Sequence, residues 1–337
     1  MMQASIAAER DRWNASRFMQ ASGDGHYESW FQRANHPSRP LAFWIRYTIF
    51  SPRRHPDRAI GELWAMWFDG EKKRALGVKE EHPIGACDFD RERLDVRIDR
   101  AKLDGRSLAG TCRGAHSLEW ALEYESKAAP ILLVREELMK RRFPKGKVVT
   151  PSPHAVYRGD LVVDGERIAI DGWIGTQSHN WGRAQTDEYA WCQVAGFDDD
   201  PDAFFEAGSA RYDVGPFRTP RLTGLVLRCD GEDILLNSVS VAVRARAHAE
   251  PFYMELAAKH RDVSVRASVS APAWSFVALP YKNPPGGLKT CLNSKLASCT
   301  VHLEKGGRTK VLTSKHRAAF ELLGDDEAPR GVSRLGS

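Results

Sequence analysis

The stretch GTQSHNWGRA, Gly175 to Ala184, sets a histidine, an asparagine and a tryptophan side by side between glycines. A tight turn uses glycine and asparagine, since both tolerate positive φ, and a core uses tryptophan. Histidine adds chemistry. Its ordinary pKa lies near working pH, so at the mouth of an apolar cavity His179 would hold a water or take up a proton. Other motifs are weaker. FDDDPDAF spaces Asp198, Asp200 and Asp202 like a calcium loop but lacks the central glycine and closing glutamate, so it reads as an acidic turn. NPPGGLKT lacks the glycine before the lysine that a phosphate loop needs, and reads as a rigid loop over a barrel mouth with Lys289 reaching in. There is no C-x-x-C pair and no nucleophile elbow, and neither a metal nor a cofactor is expected.

Composition bounds what could position such residues. With 42% apolar and 28% charged residues the chain reads as globular, and 337 residues exceed one ordinary core, so two domains are expected. Ten tryptophans point to large apolar walls or a roomy cavity. A net charge of +5 spread over both halves calls for no polyanionic partner, and nucleic acid is not expected. The N-terminal MMQASIAAERDRWNAS carries charges where a signal peptide needs an apolar run, and no stretch approaches the roughly 20 apolar residues of a spanning helix. A cytoplasmic location with free cysteines follows as the expectation. The basic run KRRFPKGK, Lys140 to Lys147, reads as a solvated helix end, or as a contact with an anionic surface peripheral to the inner membrane.

Strand patterns dominate the chain. In SLEWALEYE, Leu118, Trp120, Leu122 and Tyr124 alternate with glutamates, and RLDVRID, SVSVAVRARA and VSVRASVS alternate in the same way. Asp-Gly pairs at Asp69, Asp104, Asp164 and Asp230 suit tight hairpin turns. LVVDGERIAI and LRCDGEDILL read as near-copies of one hairpin. Helix is expected over residues 5–20 and over PILLVREELMKRRF, Pro130 to Phe143, while SKHRAAFELLG fits helix or strand. The fold class is therefore all-β, two consecutive antiparallel barrels with a few short helices. The boundaries drawn are an N-terminal extension at 1–26, a first barrel at 27–183, a second at 184–325 and a flexible tail at 326–337.

YESWFQRANHPSRPLAFWIRYTIFSP, GWIGTQSHNWG and YKNPPGGLKTCLNSKLASC resemble the AttH-like group, which includes the carotenoid 1,2-hydratases and is akin to tocopherol cyclase and the fungal lipocalin-like Diels–Alder cyclases. The resemblance spans residues 27–320. It implies two lipocalin-like (calycin-type) barrels and an extended apolar, often isoprenoid, molecule as ligand. The hydratase pattern pairs a His-x-Trp, matched by His179 and Trp181, with an aromatic-x-acid strand, matched by Phe204 and Glu206 in FFEAGSARY. The family's tyrosine and aspartate are replaced there by phenylalanine and glutamate.

On that basis His179, Trp181 and Glu206 are the catalytic candidates, and Asn180, Trp191, Phe204, Tyr281 and Lys289 the substrate contacts. Burial would keep the Glu206 carboxyl protonated until it meets an olefin. The faces of Trp181 and Trp191 would stabilise a carbocation by roughly 2 kcal/mol each. Water capture makes a hydratase, and capture by the substrate's own hydroxyl or alkene makes a cyclase. The other reading is a carrier that binds an apolar lipid and performs no reaction, favoured by the missing phenol at Phe204.

Overall fold

The computed structural model describes residues 2–335. Strand alternation is visible in the burial of Ser117–Glu125, where every second side chain turns inward and the glutamates between them face water. Two eleven-stranded sheets result. The first takes its strands from His26–Asn35 through Glu166–Gly182, all antiparallel, and the first of these pairs with the last. Its edges curl towards each other: the Arg113 backbone N–H donates to Glu80 at 2.7 Å across the gap between Ser107–Arg113 and Arg74–Pro83. The second runs from Glu188–Ala195 to the short Ser333–Arg334 and again pairs its first strand with its last long one, Arg308–Gly324. Each unit closes on a long hairpin bent by register shifts, Gly146–Val163 with Glu166–Gly182 in one and Leu288–Lys305 with Arg308–Gly324 in the other. The architecture is thus two consecutive lipocalin-like barrels with few helices.

Three apolar layers follow. Trp30, Phe43, Ile45, Tyr47 and Trp120 fill the first barrel, and Phe205, Leu225, Val265 and Phe320 fill the second. Alternate residues of the same strands, Phe31 and Trp44 from the first unit and Trp191, Tyr281 and Cys291 from the second, meet in a third cluster between the barrels. Leu41–Ser51 is consequently buried on both faces along its whole length.

Several local expectations are revised. Pro130 to Phe143 is helical only at Glu136–Met139. Ile131 pairs with Thr150 in an isolated bridge. Extended backbone sends Ile131, Leu132 and Leu133 into three different clusters, which one helix face could not do. SVSVAVRARA splits as well. Ser238 caps a helix at Val239–Arg244 by accepting from the Val241 N–H, and strand resumes only at Arg246–Glu250. SKHRAAFELLG is strand. Of the Asp-Gly pairs, only Asp164-Gly165 and Asp230-Gly231 place both residues at positive φ, the conformation of the primed turn, and these are the two hairpins that read as copies. The expected flexible tail is docked up to its last described residue: Ser333–Arg334 pairs in parallel with Val277 and Ala278, while residues 336–337 lie outside the described residues. The helix of the N-terminal extension is Met2–Asn14, Met1 lying outside the described residues. It is tied down by Arg10, which donates to the carbonyls of Ala128 and Pro151. No described helix is long and apolar enough to cross a membrane.

Closure of the first barrel depends on close approach at Gly175. A Cβ there would lie 1.7 Å from the Arg33 carbonyl oxygen and 2.6 Å from the Ala34 Cα. Gly175→Ala is expected to destabilise the fold by about 3 kcal/mol, read as a lower midpoint in urea denaturation with an unchanged slope.

Candidate functional site between the two barrels

His179 and Asn180 are neighbours in sequence and point to opposite faces of Glu166–Gly182. The imidazole is fully buried on the inward side, stacked on Trp30 with ring centroids 4.7 Å apart. Its Nδ1 lies 2.7 Å from the Trp13 carbonyl at the C-terminus of the N-terminal helix, and its Nε2 lies 2.9 Å from Glu28 Oε1. Glu28 also accepts from the Ser16 hydroxyl, the Arg17 backbone N–H and His26. Burial alone would raise this carboxyl, but hydrogen bonds from His179 and His26 outweigh it and hold Glu28 at about 2. Burial draws the imidazole's pKa down while Glu28 opposes it. The Trp13 carbonyl and the Arg17 guanidinium, 3.5 Å away, both face Nδ1, and the Glu28 carboxylate faces Nε2. Trp181 packs beside His179 and carries the Arg17 guanidinium 3.7 Å above its ring, on a charged surface cleft. Every polar atom of His179 thus has a partner in a clamp that fastens the N-terminal helix to the first barrel.

Asn180, on the other face, lines a cavity of about 320 Å³ between the barrels. The walls include Phe31, Trp44, Leu133, Trp191 and Tyr281, with Phe31 edge-on to Trp191. Two wider depressions, of about 460 and 670 Å³, are lined mainly by charged and polar side chains at the surface. Exposed Phe143, Val239 and Val243 form part of the lining of the apolar cavity. The short helix at Val239–Arg244 turns Val241 inward and these two valines outward to the cavity rim, whereas a strand would have set all three on one face.

Polar groups reach this cavity from both units. Arg46 is buried, donates to Ser29 Oγ at 2.7 Å and lies over the Tyr281 ring at 4.3 Å, while its Nε has no partner. The Trp44 Nε1 and Asn180 Oδ1 are also buried without partners. Glu321 accepts from Tyr189 at 3.2 Å and from Asn293 and Lys295 at 2.8 Å each. Lys295 is fully buried, and burial lowers its pKa despite Glu321. Burial likewise pushes the phenols of Tyr27, Tyr189 and Tyr281 up, so they stand as protonated donors. Lys147, from the basic run, pairs opposite Trp181 and borders both this cavity and the charged cleft. It donates to the Pro144 carbonyl and is brought to about 8 by burial, while Lys140, Arg141 and Arg142 stay exposed.

The other candidates separate. Trp191 and Tyr281 line the cavity with Asn180. Glu206 lies behind Trp191, whose Nε1 donates to it at 3.0 Å, and accepts from Thr150 at 3.1 Å. Burial raises its pKa to about 7 against those hydrogen bonds. Phe204 packs with Ile131, Ala195 and Val226 beside a surface depression, away from the apolar cavity. Lys289 is held by Asp325 and the Asp187 carbonyl and does not line the cavity either. His179, Trp181, Phe204 and Lys289 are therefore apart from the apolar space, because the cavity lies between the barrels and not inside one. Arg46, Glu321 and Lys295 were not singled out from the sequence. For Arg46 and Glu321 the signal was a charged residue within an otherwise apolar strand run, as in FWIRYTIF and AAFELL, whereas Lys295 stands in the polar CLNSKLASC. Among the described residues no cluster of three His, Cys, Asp or Glu side chains could hold a metal ion.

No protein-family model matches the chain. An uncharacterized protein of Mycobacterium tuberculosis is 26% identical over 305 residues, covering 89% of this chain and 87% of its own. The fold is similar to that of an AttH-type protein from Nitrosomonas europaea, with a TM-score of 0.59 at 13% identity over 92% of this chain and 97% of the other. It is also similar to kievitone hydratase from Nectria haematococca, with a TM-score of 0.60 at 12% identity over 89% of each chain. CghA bound to Sch210972 gives 0.54 at 11% identity, over 95% of this chain and 98% of that one. These likenesses establish the shared double-barrel fold.

Two variants separate clamp from cavity. His179→Ala leaves Glu28 buried without its main partner and is expected to cost about 3 kcal/mol, with faster proteolysis near Trp13 and unchanged ligand affinity in the cavity. Glu206, raised to about 7, contributes stability that is fully present below the unfolded carboxyl value and is lost as pH rises through 7. The loss amounts to about 3 kcal/mol. Glu206→Gln is expected to flatten that decline in urea denaturation between pH 5 and pH 8.

Proposed function

We propose that the protein is a cofactor-free hydratase or cyclase that folds an extended apolar substrate into the cavity between its barrels. The observation carrying this reading is the pairing of aromatic walls with buried donors and a buried carboxylate in one apolar space. Donors fixed in advance in a water-poor site stabilise charge developing on a substrate oxygen far better than water does. Tyr27, Tyr281 and Arg46 take that role, and the faces of Trp44 and Trp191 stabilise cationic character in the substrate. Glu321, oriented by Asn293, Lys295 and Tyr189, is the proton acceptor. Glu206, beneath Trp191, keeps a proton in reserve near neutral pH.

Similarity to kievitone hydratase and to CghA with its bound Sch210972 supports a ligand-binding chemistry of this type on this fold. An isoprenoid remains the proposed substrate class. It would pass Phe143, Val239 and Val243, and exposed Lys140, Arg141 and Arg142 on the adjoining segment offer contact with an anionic membrane during loading. A carrier without activity is the second reading. The packing of Glu206 behind Trp191, which denies the cavity a direct view of that acid, favours it.

Purified protein incubated with polyenes and prenylated phenols, followed by mass spectrometry, tests the two. Gain of one water, or an isomer of unchanged mass, is expected, and Glu321→Gln is expected to lower the rate about 100-fold with ligand binding retained. Ligands bound and recovered unaltered by the wild type would leave the carrier reading.

A further inference from the structure

We propose that the ligand of the inter-barrel cavity is an amphiphile whose apolar body ends in an anionic oxygen group, a carboxylate or an acidic enolate, received by Arg46 and Lys147. The inference rests on the reading of this cavity as the binding site and adds the chemistry of the ligand's end. Buried charge is costly unless paired, and this protein pairs it elsewhere: Glu28 with His179, Glu62 with Lys79, and Glu321 with Lys295. Arg33, buried without an acid, spends its donors on Gln193, Asn35 and the Arg317 carbonyl.

Of the three cations at the cavity, Arg135 is paired with Glu137, and Arg46, inside it, and Lys147, at its border with the charged cleft, are the exception. Arg46 makes one hydrogen bond, to Ser29, and its Nε is unpartnered. Lys147 makes one, to the Pro144 carbonyl. Among the described residues no carboxylate forms an ion pair with either. Glu62 and Glu321 favour the Arg46 charge from a distance, but neither forms an ion pair with it. Glu62 is held by Lys79, and Glu321, which lines the same space, by Lys295, Asn293 and Tyr189. A neutral ligand would leave both cations unpaired, and a cationic one would add repulsion. An anionic end satisfies them, and the unpartnered Trp44 indole N–H is a further donor beside it.

The test compares three probes with the same chain, dodecanoate, 1-dodecanol and dodecyltrimethylammonium, by quenching of the tryptophan fluorescence to which Trp44 and Trp191 contribute. Dodecanoate is expected to bind at least about tenfold more tightly than dodecanol, and the ammonium not to displace it. Arg46→Gln is expected to bring dodecanoate towards the dodecanol value, with a much smaller loss for dodecanol, and Lys147→Gln to act in the same direction. The wild-type series decides alone if a variant does not fold. Equal affinity for dodecanoate and dodecanol would overturn the anionic end and leave the apolar cavity reading intact. Binding of none of the three would overturn both.

Discussion

The structure depends on burial from two sides. His26–Asn35 and Leu41–Ser51 turn one set of side chains into the first barrel and the alternate set against the second. A strand in this position has no solvent face on which to leave a polar group. Each polar side chain must therefore find a partner in the protein or in a ligand, because an unpaired buried group costs on the order of 1–3 kcal/mol. Serines, threonines and glutamines meet this requirement through one another, as with Ser29 and Thr48, or Gln193 and Thr150. The barrels are joined by that same layer, so the joint and the cavity are one construction.

The requirement also separates structural polar residues from candidate functional ones. His179 has the chemistry of a general base, yet it spends both nitrogens on Trp13 and Glu28 and faces no open space. Its work is done on the N-terminal helix, whose last carbonyls go to His179 and to the Trp30 indole. Arg46, Trp44 and Asn180 keep atoms without partners beside an apolar void. Gln32, Ser51, Trp64, Arg221, His316 and Arg317 also hold buried polar atoms without partners, but Arg46, Trp44 and Asn180 are the ones that line one apolar void, where a ligand could satisfy them.

Much of the fold was legible in the sequence because a half-buried strand writes its pattern openly. Ser117–Glu125 is the clearest instance, and the Asp-Gly pairs at Asp164 and Asp230 marked primed hairpin turns, though at positions that do not correspond in the two barrels. Period-two valines misled at Val239–Arg244, where a serine cap and the span between sheet edges favour a short helix. Three of the substrate contacts drawn from the sequence, Asn180, Trp191 and Tyr281, line the cavity. The rest of the site was hidden for a physical reason. Strand spacing tells which residues share a face, but not whether that face meets a barrel interior or a second barrel. A histidine next to tryptophan suggests an opening on a void, whereas His179 fills one, with both ring nitrogens engaged.

Shared architecture with AttH-type proteins, kievitone hydratase and CghA extends over most of each chain, while identity of 11–13% leaves the site residues to be judged on this molecule alone. The central claim is that the ligand lodges between the barrels and not within either. A long-chain carboxylate bearing a diazirine at its tail, photolysed in complex with the protein and mapped by peptide mass spectrometry, tests this directly. Labelling of Phe31, Leu133, Trp191 or Val239 is the predicted result. Labelling confined to the barrel interiors, at residues such as Tyr47, Trp120 or Phe205, would contradict it.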